Sequence, residues 1–221
     1  MLIDLKFSIV ASSKPVKGRI LIKAVVFDVG RVILPIEWSN VVKSLGLSDQ
    51  EGKAFGQKVG HGSHYDLYER GQLSTEDFFS GFSKEYGLHH DKDQLKEAWA
   101  LLIHPPFDGI HEVLEHLKSQ VEVYALSNTN PAHFEKFMSE YTEFSHFHKV
   151  FTSFHLNARK PEHEIYFKVV ETLQMPPAEI LFLDDMAENV HAARNIGMHS
   201  EKVENSVEEI HKVLSHYKLW K

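Results

Sequence analysis

At 221 residues the chain is long enough for one core domain with a modest insertion and too short for two large independent ones. Hydrophobic residues make up 43% and charged residues 25%, the balance of an ordinary globular protein, and a net charge of −7 with interspersed signs argues against a nucleic-acid partner. The absence of cysteine excludes disulfides, thiolate nucleophiles and cysteine-held zinc or iron–sulfur centres.

Residues 1–21 read as an extension ahead of the fold. The apolar stretch Phe7–Ala11 is too short for a secretory signal, and Asp4 stands where such a signal carries basic residues. No segment reaches the roughly 18 apolar residues that span a bilayer. A cytoplasmic protein with no membrane partner is expected, and the sequence sets no oligomeric state.

The first apolar run, Ile20–Phe27, reads as a buried strand closed by Asp28. About 70 residues of different character follow, too many for a structureless loop. Trp38–Leu45, Thr75–Tyr86 and Asp93–Leu102 show helical spacing, broken by Gly52, Gly60, Gly62 and Gly71, which predicts a small helical insertion over residues 37–105. Phe78, Phe79, Phe82 and Tyr86 are its expected core. His61 and His64, in the same stretch as Tyr65 and Glu69, are candidates to face a bound molecule.

Ile110, Val113, Leu114 and Leu117 make a helical stripe before a second strand, Val121–Leu126, which ends at Ser127. Asn130-Pro131 opens a helix, Lys149–Phe154 is a weaker third strand, and Lys160-Pro161 is expected to open the next helix in the same way. Ile180–Leu183 is a fourth strand ending at Asp184 and Asp185, with a fifth near Met198–Val203. A last helix carries Val207, Ile210, Val213 and Leu214. The alternation implies an α/β fold: a doubly wound, Rossmann-like parallel sheet built from residues 22–36 and 106–221.

Open sheets of this kind bind ligands beyond the carboxyl ends of their strands. Asp28, the Ser127-Asn128 pair and the Asp184-Asp185 pair all close strands, and Lys160 follows the third. Such a set suits phosphoryl transfer. A carboxylate can attack phosphorus and form an acyl phosphate. A hard cation on oxygen ligands, with lysine, hydroxyl and backbone amides, would neutralise the phosphate oxygens. Taken singly, Asp28 reads as a loop aspartate, Ser127-Asn128 as a turn and helix cap, and Lys160 as a surface lysine. Asp184-Asp185 is harder to dismiss, because adjacent acids repel one another unless a cation or donors compensate. The 16 histidines include suggestive pairs such as His146/His148, but none has a recognisable third ligand, so they read as surface residues.

The motifs carry a resemblance. VVFDVGRV resembles the first motif of the haloacid dehalogenase-like hydrolases, ALSNTN the second, ARKPEHEIY the third and FLDDMAENVHAARNIGM the fourth. They occur in the family order within residues 23–198, and the helical insertion matches the family's type 1 cap in position. The wording is similar to the branch that includes α-D-glucose 1-phosphate phosphatases and the N-terminal phosphatase domain of soluble epoxide hydrolases.

The resemblance implies a magnesium-dependent phosphatase acting on a small phosphorylated metabolite, a sugar phosphate. Asp28 would be the nucleophile, Ser127 would bind the phosphoryl group with Asn128 in support, and Lys160 would neutralise phosphate and nucleophile. Mg2+ would be held by Asp28, the Gly30 carbonyl and Asp185, with Asp184 beside them. Most family phosphatases carry an acid–base aspartate at the position of Gly30. Its loss removes help typically worth ~10²–10⁴ in rate, which points to a good leaving group such as an anomeric, acyl or enol phosphate. Arg31 is a second departure, where relatives often have asparagine. Two other readings stay open: a metal-independent dehalogenase using Asp28 on carbon, and a catalytically weak binding protein that lost its acid–base residue.

Overall fold

The computed structural model describes residues 21–60 and 62–221. The expectations placed on residues 1–20 and on His61 lie outside the described residues. Five strands form one parallel sheet: β1 (Ala24–Phe27), β2 (Glu122–Ser127), β3 (Lys149–Thr152), β4 (Ile180–Asp184) and β5 (His199–Lys202), in the order β3-β2-β1-β4-β5. From central β1 the chain winds outward through β2 to β3, then crosses to β4 and β5 on the other side. The winding direction therefore reverses between β1 and β4, the crevice where such sheets bind ligands.

The register brings the polar strand ends together. Phe27 pairs with Ala125 of β2 and with Leu183 of β4, so the residues that follow share one rim. Val25, Phe27, Val123, Ala125, Leu181 and Leu183 pack on one face with Ile110, Val113, Leu114 and Leu117 of one helix and Ile210 and Leu214 of another. Ala24, Val26, Leu126, Ile180 and Phe182 pack on the other face with Ile165, Tyr166 and Val169. Strands covered on both faces need apolar residues at every position, which is why their runs are continuous rather than alternating.

The helices, in chain order, are α1 (Trp38–Ser44), α2 (Asp49–Gly60), α3 (Ser63–Glu69), α4 (Thr75–Tyr86), α5 (Lys92–Ala100), α6 (Ile110–Lys118), α7 (Pro131–Glu140), α8 (Ser153–Leu156), α9 (His163–Leu173), α10 (Ala187–Asn195) and α11 (Val207–His216). The first five gather around a cluster of their own, in which Phe78, Phe79, Phe82, Tyr86 and Trp99 are buried. Trp99 meets Trp38 edge-on at 5.8 Å. No helix of the described residues is long and apolar enough to cross a membrane.

Three local expectations differ from the structure. Gly52 and Gly60 do not break a helix but lie within α2. A Cβ at Gly52 would stand 2.4 Å from Val42 Cγ1, so the glycine lets α2 lie close against α1. The breaks fall instead at Gly62, extended ahead of α3, and at Gly71, with φ of +69°. The third strand stops at Thr152, because the Thr152 side chain accepts from the His155 amide and starts α8 there. Lys160-Pro161 does not begin a helix. The Lys160–Pro161 peptide is cis, α9 starts at His163, and the backbone of Lys160 is held by the side chain of Asn128.

Candidate active site at the carboxyl end of the sheet

Asp28 leaves β1 with its amide donating to the Leu183 carbonyl at 2.7 Å, which pins it against β4. Buried Lys160 reaches it from the loop before α9. The Lys160 Nζ donates to Asp28 Oδ1 at 2.6 Å, to Asp184 Oδ2 at 2.7 Å and to the Leu126 carbonyl at 3.0 Å. Burial alone would lower the ammonium pKa, but the charges of Asp184 and Asp28 outweigh it and hold Lys160 above its ordinary range.

Asp28, Asp184 and Asp185 each offer an oxygen within 4.8 Å of the others, the one such group of three among the described residues. Two carboxylates, Asp28 and Asp184, thus share one ammonium, with the third, Asp185, beside them. Burial pushes Asp28 up to about 7, with Lys160 pulling it down and Asp184 pushing it further up. Asp185 is raised as well, first by burial and then by Asp184. A site holding this much negative charge out of water favours a cation.

The two adjacent acids differ in what they touch. Asp184 is fully buried, and its oxygens accept from Lys160 Nζ, from the Met186 amide at 2.8 Å and from Asn189 Nδ2 at 2.9 and 3.1 Å. Asp185 has a looser neighbour, Arg31 Nη1 at 3.6 Å. The donor set of three carboxylates, with no histidine or thiolate among them, fits a hard, oxygen-seeking ion such as Mg2+. Asn189 Nδ2 meets both oxygens of Asp184 and, with Lys160 and the Met186 amide, orients that carboxylate.

Ser127 ends β2, buried and facing the same pocket as Asp28, Gly30, Asn128, Lys160 and Asp185. Asn128 uses both ends of its amide on the backbone of Lys160. A Cβ at Gly30 would come within 3.3 Å of Ile36 Cγ1. Arg31 adopts a left-handed φ of 59°, a conformation that tolerates asparagine better, and its carbonyl accepts from the Asn205 amide at 2.8 Å.

The pocket over these residues holds about 410 Å³, and α1 and α3 supply Trp38, Tyr65 and Glu69 to its wall. A larger groove of about 1020 Å³ between α1 and α2 contains none of the carboxylates, so chemistry rather than size selects the smaller one. His64 does not reach the pocket. It turns into the helical bundle, with Nε2 3.1 Å from the Phe78 carbonyl and Nδ1 3.5 Å from Glu85. Sequence reasoning leaves Glu69 and Arg159 without a role. They are 90 positions apart, and no local pattern signals that they meet 2.6 Å from one another.

A family model of the haloacid dehalogenase-like hydrolases matches residues 22–197. The chain belongs to that family. Among its relatives, D-ribitol-5-phosphate phosphatase of Bacteroides thetaiotaomicron is 28% identical over 197 residues, covering 85% of this chain and 95% of that protein. The sesquiterpene phosphatase astK of Aspergillus oryzae is 27% identical over 177 residues, covering 80% of this chain and 87% of its own. A HAD family enzyme from Bacteroides thetaiotaomicron, solved with magnesium and inorganic phosphate, superposes with a TM-score of 0.76 at 21% identity, covering 86% of this chain and 98% of that one. At that identity the likeness is one of fold.

Proposed function

We propose that this haloacid dehalogenase-like hydrolase is a magnesium-dependent phosphatase that hydrolyses a small sugar or polyol phosphate through an aspartyl-phosphate on Asp28. The observation that carries the reading is the Lys160 ammonium held 2.6 Å from Asp28 at the rim of β1, with Asp185 lining the same pocket and fully buried Asp184 clustered with both acids. The phosphatase class is supported by the names of the two relatives, each aligned over most of its length.

Lys160 holds Asp28 Oδ1, which leaves Oδ2 to attack phosphorus. The Asp28–phosphorus bond forms as the bond to the leaving oxygen breaks, and water then attacks the acyl phosphate, releasing phosphate and restoring Asp28. Ser127 donates its hydroxyl to a phosphoryl oxygen, and Lys160 offsets the charge of both carboxylate and phosphate. Asn128 lines the pocket in support of Ser127 and also positions Lys160 through its backbone. Asp28, Asp185 and the Gly30 carbonyl would hold Mg2+, with Asp184 beside them, and the ion would neutralise the charge that the incoming phosphate adds. Gly30 offers no proton, so the leaving group takes one from solvent.

Residues 37–105 act as a cap over a core of residues 22–36 and 106–221, and the protein works in the cytoplasm. Phosphate release from a panel of phosphorylated metabolites, with and without Mg2+, tests the reading in wild type and Asp28→Asn. Magnesium-dependent release abolished in the variant is expected. Wild-type release no higher than that of Asp28→Asn would sink it, and metal-independent turnover of a haloacid would favour the dehalogenase.

A further inference from the structure

The bundle side of the pocket contains a charged pair that the hydrolytic steps do not use. Glu69, the last residue of α3, is 3% exposed, yet it lines the same pocket as Asp28 and Asp185. Its Oε1 accepts from the Tyr65 hydroxyl at 2.5 Å. Its Oε2 stands 2.6 Å from Arg159 Nη2 in an ion pair. Arg159 Nε is buried and has no hydrogen-bond partner among the described residues.

The pair is rigidly held. Arg159 Nη1 donates to Asp66 Oδ1 at 2.6 Å, while Arg70 ties Asp66 to Glu162 on the loop that carries Arg159 and Lys160. One loop therefore delivers both the cation that meets Asp28 and the guanidinium that meets Glu69. Buried polar atoms in proteins are nearly always satisfied, and unsatisfied ones call for a partner. An acceptor and a donor held side by side in a pocket wall match hydroxyl groups, which donate to the carboxylate and accept from the guanidinium.

We propose that Glu69 and Arg159 read hydroxyl groups on the leaving side of the substrate and so select polyol and sugar phosphates over apolar phosphate esters. The inference rests on the phosphatase reading of Asp28. An apolar leaving group would lie against this charged wall and offer it no hydrogen bond, and sites built to bond a hydroxyl reject analogues that lack it by large factors.

The test compares kcat/KM for ribitol 5-phosphate with that for n-pentyl phosphate, matched in chain length but stripped of hydroxyls, with p-nitrophenyl phosphate as a generic phosphatase probe. Wild type should favour the polyol ester by about 100-fold or more, and Glu69→Gln and Arg159→Lys should each cut that ratio at least ~10-fold. The double variant Glu69→Leu/Arg159→Met removes both charges together, which buried pairs often tolerate, and should shift the preference towards pentyl phosphate. Its melting curve and circular dichroism establish that it folds, and if it does not, the conservative single variants still read the ratio. A pair that only braces the fold would lower melting temperature and both activities together at a constant ratio, which overturns the proposal. Wild type that hydrolyses p-nitrophenyl phosphate in an Asp28-dependent way but shows no polyol preference overturns it while leaving the phosphatase reading standing. Inactivity on all three esters removes both.

Discussion

The carboxamide of Asn128 holds the backbone of Lys160 at both ends: its Nδ2 donates to the Lys160 carbonyl at 2.8 Å and its Oδ1 accepts from the Lys160 amide at 2.9 Å. The end of β2 is thereby clamped to the loop that delivers the lysine to Asp28. Asn128→Ala releases the clamp without touching the lysine itself. We expect kcat to fall about 10²-fold, since misplacing a positioned group by an ångström costs on that order. Steady-state kinetics with unchanged kcat would show that Lys160 is held well enough by Asp28 and Asp184 alone.

Gly30 carries no carboxyl at the position where an acid–base aspartate would protonate the leaving group. Wild type should therefore hydrolyse hexose 1-phosphates faster than hexose 6-phosphates. Gly30→Asp should narrow that gap by raising the 6-phosphate rate roughly 10- to 100-fold, within the range of acid–base assistance. The new Cβ meets Ile36 Cγ1 at 3.3 Å, so Gly30→Asp/Ile36→Val is the better variant if the single one is crowded. Faster turnover of the 6-phosphates by wild type would count against the leaving-group argument.

The three clustered carboxylates carry more negative charge than Lys160 balances. Mg2+ should raise the melting temperature, and chelation should reverse the rise, because a ligand that binds only the folded state stabilises it. Asp185→Asn should weaken that response and raise the Mg2+ concentration needed for activity. A thermal shift identical in wild type and Asp185→Asn would place the ion elsewhere.

His133 lies buried against Trp99, with ring centroids 5.1 Å apart and an interplanar angle of 7°. Its Nε2 donates to the Trp99 carbonyl at 3.0 Å, and its Nδ1 accepts from Asn130 Nδ2 at 3.1 Å, so the fold wants the ring neutral. Burial pushes its pKa from near 6.5 down to about 4. The folded state therefore resists a proton that the unfolded chain takes up. Stability is full above pH 6.5 and falls as pH drops towards 4, by roughly 3 kcal/mol in all. Urea melts at pH 7 and pH 4.5 should differ more in wild type than in His133→Gln, and an equal difference would assign the acid sensitivity to other groups.

The strand ends were legible in the sequence. β1, β2 and β4 are buried on both faces, so their residues form unbroken apolar runs, and Asp28, Ser127 and the Asp184-Asp185 pair stand out at the point where each run stops. The Asn130-Pro131 helix start was equally legible, because the cap bond from the His133 amide to Asn130 Oδ1 joins residues three apart. A fold determined by local patterns can be read from those patterns.

What the sequence by itself determined, then, is the parallel α/β sheet, its helical insertion and the family whose motifs line the rim of β1, β2 and β4. Tertiary structure alone decided the rest. It turned Lys160-Pro161 from a helix start into a loop, because Asn128, 32 residues upstream, claims the Lys160 backbone. It separated Asp184, surrounded by Lys160, Met186 and Asn189, from the more open Asp185. It also brought Glu69 of the inserted helices against Arg159 of the core. Each of these depends on side chains far apart in the chain meeting in space, and a hydrogen bond or ion pair across such a distance leaves no periodicity for a sequence to display.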